Sequence, residues 1–209
     1  MKFEIKSVVL PLILLNIAVF VMELIFKGNF IDSFILTPDI FSRPWILLTH
    51  MFLHANANHI IFNMYTLLIF GPLLEQRIGV KRFLLVYLAS GIVAGILSSF
   101  FYQRALGASA AIMGMIGVLI ILMPGLRLLL FFVVPMPLWL VGILYAMLDI
   151  FGIFYPSGVG NIAHLTGLAI GLAYGLYLKK EKRKFDRKFH SKRHLGKDDV
   201  DEYLKTGRI

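Results

Sequence analysis

The sequence predicts an all-α fold, a polytopic membrane protein whose body is a bundle of six transmembrane helices. Three observations carry this. Hydrophobic residues fill 58% of 209 positions and mean hydropathy is +0.80, whereas soluble chains sit near about 45–50% apolar. Charged residues make up only 16%, and residues 179–209 hold twelve Lys/Arg and six Asp/Glu of them. Apolar runs recur at close to the ~20 residues that cross a ~30 Å hydrocarbon core. This composition argues against a water-soluble enzyme. The chain contains no cysteine, so disulfides, a thiol nucleophile and a zinc–thiolate site are excluded.

In chain order, the first run is Ser7 to about Ile25, read as a retained helix because it is long and has no small-residue cleavage site. Lys27 to Asn58 follows as an outer loop (27–58), its Phe30, Phe34, Ile35, Phe41, Trp45 and Phe52 suited to the membrane interface. The second span is His59 to Leu74, ended by Glu75-Gln76-Arg77, and the third is Phe83 to Phe101. The fourth is Ser109 to Met123, and residues 124–137, broken by Pro135 and Pro137, read as an apolar loop on the membrane surface. The fifth is Leu138 to Phe154 and the sixth Ile162 to Leu178. Residues 1–178 thus form the membrane domain and 179–209 a basic tail.

Six crossings leave both termini on one side, and 18 of 21 Lys/Arg fall there. Positively charged loops stay in the cytoplasm, so both termini are expected to be cytoplasmic in a multi-pass protein. A basic run beside a membrane helix is expected to lie on anionic lipid. The bilayer is therefore the expected partner, and nucleic acid is not.

Polar side chains within membrane helices are costly and mark function, and here they fall in one layer. His59 and Asn63 stand four apart on the second span, Gly107-Ala108-Ser109 opens the fourth, and Asn161 and His164 open the sixth. All three spans run inward from the outer side, so these residues share a depth. The fourth span is too short to cross, which places Ser109 below the outer surface, where irregular backbone must line protein or a wet cavity. Gly167, Gly171 and Gly175 follow at four-residue spacing, and small residues so spaced let helix backbones touch. Ser109, Met113 and Gly117 are the matching stripe on the fourth span.

A serine hydroxyl needs a base to become a nucleophile, and histidine is the usual one. His164 can supply it. Asn63, His59 and the Ser109 backbone N–H, at a helix start, can donate to a developing oxyanion. Ser109 alone would read as a small packing residue, and its company makes it a nucleophile. Asp149 reads as a polar anchor near a helix end, with orientation of His164 as the alternative. His50, His54 and His59 read as capping or loop-bracing side chains, and no metal site is expected. Glu75 with Arg77 reads as a structural pair, and Gly91 and Gly95 as packing devices. A channel would need a continuous polar path, whereas the inner halves of the fourth and sixth spans are Ile, Leu, Met and Gly.

Taken together, these residues resemble the rhomboid family of intramembrane serine proteases, over about Arg43 to Gly175. The resemblance rests on His59-x-x-x-Asn63 with Gly71-Pro72 and Glu75-Gln76-Arg77, on His50 and His54, on Gly107-Ala108-Ser109, and on Ala163-His164-x-x-Gly167-x-x-x-Gly171. It implies Ser109 as nucleophile and His164 as general base and acid, in a two-member dyad without an acid. It also implies His59, Asn63 and the Ser109 N–H as oxyanion donors, His50 and His54 as braces of the outer loop, membrane proteins as substrates, and no metal or cofactor. Three positions depart from the family pattern: Ala110 replaces the last glycine of Gly-x-Ser-Gly, Met113 stands where an aromatic ring is usual, and Ile46 follows Trp45 where many members have arginine. None removes a reacting group. The alternative is a catalytically impaired rhomboid-like protein that binds and routes membrane clients.

Overall fold

In a computed structural model, residues 7–130, 133–155, 158–190 and 196 are described. Lys2, Lys6 and most of the basic tail, on which the expected orientation partly rests, lie outside them. The chain is mostly helical. Helices α1 (Val9–Phe34), α2 (Ile46–Thr49), α3 (Ala57–Ile78), α4 (Val80–Ser98), α5 (Ser109–Leu122), α6 (Leu138–Phe154) and α7 (Asn161–His190) follow in order, with a 3₁₀ turn at His50–Phe52. Four of them are long and apolar enough to cross a membrane, namely α1, α3, α4 and the Asn161–Lys184 part of α7. Helices α5 and α6 are shorter, at 14 and 17 residues. At about 1.5 Å per residue, α5 extends roughly 21 Å.

Four expectations are corrected. The outer segment is not plain loop: the helix begun at Val9 breaks at Lys27 (φ 52°), close to the expected end near Ile25, and a second helical stretch runs on to Phe34. Residues 124–137 are not plain loop, because β1 (Arg127–Leu130) and β2 (Val134–Pro137) pair antiparallel, Arg127 opposite Pro137. The prolines sit in a two-stranded ribbon, whose free edges do not need their missing N–H groups. Glu75 does not pair with Arg77. Its carboxylate accepts from Ser7 Oγ at 3.2 Å and from the Val8 N–H at 3.1 Å, satisfying a donor at the start of α1 that no helical carbonyl can reach.

The core lies between α3, α4, α5 and the start of α1, with Leu67, Leu74, Phe83, Tyr87, Met115 and Leu119 fully buried. Outward faces stay apolar, as a lipid solvent requires: Phe62, Leu148, Phe151 and Phe154 are all exposed. The closest helix contact is α5 on α7. A Cβ on Gly167 would run into the Ala110 carbonyl, and one on Gly171 into the Gly114 carbonyl. A Cβ on Gly117 would come within 2.7 Å of the Leu168 oxygen. The contacting stripe of α5 is therefore Ala110, Gly114 and Gly117, rather than Ser109, Met113 and Gly117. Backbone meets backbone here, and the Ala110 methyl does not hold the helices apart.

Candidate active site

Helix α5 begins at Ser109, and its first helical bond off the preceding turn runs from Ile112 N–H to the Ala108 carbonyl. The N–H groups of Ser109, Ala110 and Ala111 therefore have no helical acceptor, which makes this end of α5 a donor cluster. The preceding turn is held from two sides. Gly107 N–H donates to the His50 carbonyl at 2.9 Å, and Leu36 and Ala105 exchange backbone bonds at 3.1 and 3.0 Å. Gly107 has φ +122°, a conformation side chains rarely adopt. A Cβ there would also lie 2.7 Å from the His59 ring.

His164 arrives one turn into α7. Its Nε2 lies 2.8 Å from Ser109 Oγ, and its Nδ1 lies 3.0 Å from Asp149 Oδ1 on α6. Tyr102, in the connection after α4, accepts the Ile162 N–H at 3.1 Å and fixes the start of α7. Asn161 is buried beside it, packed against Gly152 of α6. Three helices thus meet at one imidazole.

On α3, the Asn56 side chain caps the helix by accepting the His59 N–H at 2.9 Å. His59 Nδ1 accepts from the Ala55 N–H at 3.4 Å, which leaves Nε2 as the protonated nitrogen. A point one bond length off Gly107 Cα lies 2.9 Å from that Nε2 and 3.7 Å from Ser109 Oγ. The His59 ring thus packs against the Gly107 backbone, on the side where Ser109 stands. Asn63 is buried one turn further along, its amide donating to the His59 carbonyl at 2.8 Å. One of its two N–H groups remains.

His50 and His54 stand behind this layer rather than in it. The His50 ring lies over Gly95, where a Cβ would come within 2.8 Å, and its Nδ1 is 2.7 Å from the Ile46 carbonyl. Gly91 likewise leaves room for Met51. His54 Nδ1 meets the Phe52 carbonyl at 3.2 Å, and its ring stands edge-on to His59 with centroids 5.1 Å apart. Burial pushes both imidazoles down from an ordinary 6.5 to about 4, with the neighbouring His59 adding to the effect at His54. Ile46, where many members of the family the chain resembles have arginine, is fully buried with Leu36 and Ile40 in a small outer cluster.

Two residues escaped the sequence reading. Glu23 of α1 is buried and accepts the His54 N–H at 3.0 and 3.3 Å. The one charged residue in the apolar run from Ser7 to Ile25 was the available signal. Tyr102 carried no signal, since a tyrosine in an outer connection is commonplace until α7 lies beneath it.

The comparisons with known proteins agree with this geometry in extent. The family model described as the Rhomboid domain matches residues 42–181. The chain is 42% identical over 81 residues to the RHOMBOID-like protein 6, mitochondrial, of Arabidopsis thaliana, covering 38% of this chain and 26% of that protein. It is 42% identical over 77 residues to the putative rhomboid protease YdcA of Bacillus subtilis, covering 35% and 39%. The longest of the three alignments, to the RHOMBOID-like protein 12, mitochondrial, of Arabidopsis thaliana, is 30% identical over 199 residues and covers 84% of this chain and 59% of the relative. The matches therefore span from about a quarter to about three fifths of these relatives' lengths. With a domain match over most of its length and apolar helices able to cross the bilayer, this multi-pass integral membrane protein belongs to the rhomboid family.

Proposed function

We propose that the chain is an intramembrane serine endopeptidase that cuts membrane-protein substrates in or near a membrane-spanning segment, with Ser109 as nucleophile and His164 as base. The observation that carries this reading is the 2.8 Å contact between Ser109 Oγ and His164 Nε2, made at the start of a short helix. Family membership, with relatives named as proteases, supports the same class. The reading keeps six crossings with both termini cytoplasmic, supported by the distribution of Lys and Arg.

In this mechanism, His164 Nε2 takes the hydroxyl proton as Oγ attacks the scissile carbonyl carbon. The carbonyl oxygen becomes an oxyanion beside the Ser109 N–H, His59 Nε2–H and the Asn63 amide. Collapse breaks the C–N bond, and the imidazolium gives its proton to the leaving amine. Water then attacks the acyl-serine, delivers its proton to His164 and releases the acid, restoring Ser109. The imidazole keeps 18% of its side-chain surface exposed, which leaves water a route to that carbon.

The test is cleavage of a single-span membrane substrate by purified protein in detergent. Ser109→Ala and His164→Ala are expected to lower turnover by at least about 10³-fold with melting unchanged. Undiminished cleavage by Ser109→Ala protein would overturn the assignment.

A further inference from the structure

We infer that Asp149 is a positioning residue that holds the His164 imidazole in the tautomer able to accept the serine proton, so that this chain works with three members where its family resemblance implies two. The inference rests on the assignment of Ser109 and His164 above. Its first support is geometric: Asp149 Oδ1 lies 3.0 Å from Nδ1 while Nε2 lies 2.8 Å from Ser109 Oγ, so the ring bridges carboxylate and hydroxyl through opposite nitrogens. A carboxylate only accepts, so Nδ1 carries the proton and the Nε2 lone pair faces the hydroxyl.

The second support is what Asp149 does not do. A polar anchor at a helix end would bond backbone groups there, or reach toward the surface. Asp149 instead lies within α6 on the inward stripe it shares with Leu138 and Gly142, and its side chain is only 6% exposed. Its Oδ2 is buried without a partner among the described residues, and its one hydrogen bond there is to His164. Burying a carboxylate is costly unless it is paired, and the pairing here is with the base. The groups facing the ring are Ser109 from α5, Asp149 from α6 and, at longer range, His59 from α3.

A tautomer-setting role and a packing role differ in how they treat the isosteric amide. An asparagine side chain at this position would fill the same volume, but its NH₂ can donate to Nδ1 and so favour the ring with its proton on Nε2, which cannot receive one from serine. The experiment measures kcat and KM for the single-span substrate, and the rate of Ser109 labelling by a fluorophosphonate. It uses the full chain and the variants Asp149→Asn, Asp149→Ala and Asp149→Glu, with Ser109→Ala alongside. The expected result is a fall in kcat of about 10²-fold or more for both Asp149→Asn and Asp149→Ala, with KM and melting temperature little changed, labelling slowed in parallel, and part of the rate recovered by Asp149→Glu. Turnover by Asp149→Asn close to that of the unsubstituted chain, or an Asp149→Ala loss that tracks lost melting temperature while Asp149→Asn is spared, would overturn the inference and leave the protease assignment standing. Cleavage that survives Ser109→Ala would instead remove the assignment, and the inference with it.

Discussion

Helix α7 has two very different neighbours. Toward α5 it presents Gly167, Gly171 and Gly175; the Ala110 and Gly114 carbonyls fill the space where side chains would be at the first two, and the Ile121 side chain fills it at the third. Toward α6 it meets mainly side chains, with Gly152 against the Asn161 amide and Asp149 against His164. Much of α6 faces outward, and only Leu138, Gly142 and Asp149 are buried on it. The first contact sets a distance by hard-sphere contact of main chains, which cannot adjust. The second sets an orientation through side chains, which can. Ser109 and His164 stand across the rigid contact, whereas Asp149 stands across the adaptable one.

That contrast can be broken from either side. The largest effect is expected at Gly171→Val, whose Cβ would meet the Gly114 carbonyl: loss of about 3 kcal/mol or more and loss of cleavage together, read by thermal unfolding and substrate turnover. Gly107→Ala is expected to come next, costing roughly 1–3 kcal/mol for a side chain at φ +122° and displacing the His59 ring. Cleavage should slow by about tenfold or more, and a variant with full activity would mean that the ring position is irrelevant to rate. Gly152→Ala, on the adaptable side, would meet first the Asn161 side chain, at 2.6 Å. Its stability is expected to stay within about 1 kcal/mol, and a collapse equal to that of Gly171→Val would erase the distinction between the two contacts.

The smallest effect concerns acidity. His50 lies outside the membrane-spanning helices and is held neutral in the fold, with its imidazole down at about 4. The opened outer segment would bind a proton at the ordinary 6.5, so the folded arrangement loses stability as pH falls from about 6.5 toward 4 and keeps it above. Thermal unfolding followed across that window should show the slope, and His50→Gln should flatten it. His54, shifted the same way, adds to the slope in the unsubstituted chain and leaves a remainder in the variant.

How much of this was legible in the sequence depends on the range of the interaction. The helices follow from apolar run length, and the ends of α3, α5 and α6 fall within a few residues of the places where charge, Pro and Gly predicted them. The gathering of Ser109, His164, His59 and Asn63 was legible because topology alone puts the outer ends of three helices at one depth. The face each helix turns to its neighbour was not, since a rotation of about 100° per residue separates a Ser109 stripe from an Ala110 stripe. Small residues occur on both. The Asp149 contact was only half legible, because the sequence supplies the carboxylate and its approximate depth but not the rotation that aims it at Nδ1. The continuation of α1 past Lys27 and the pairing of Arg127–Leu130 with Val134–Pro137 depend on contacts that charge and apolarity do not encode.

The hydroxyl and imidazole lie 55 residues apart in the chain and meet only where α5 docks against α7. During synthesis the serine is therefore threaded into the bilayer well before its base exists beside it. A nascent chain that has delivered α1 to α6 holds a hydroxyl with no acceptor, and the Asp149 carboxylate has no ring to receive. Arrival of the last helix completes both bonds at once. If Ser109 and His164 act as proposed, the docking of α7 doubles as the activation step, and cleavage begins only once the bundle is whole.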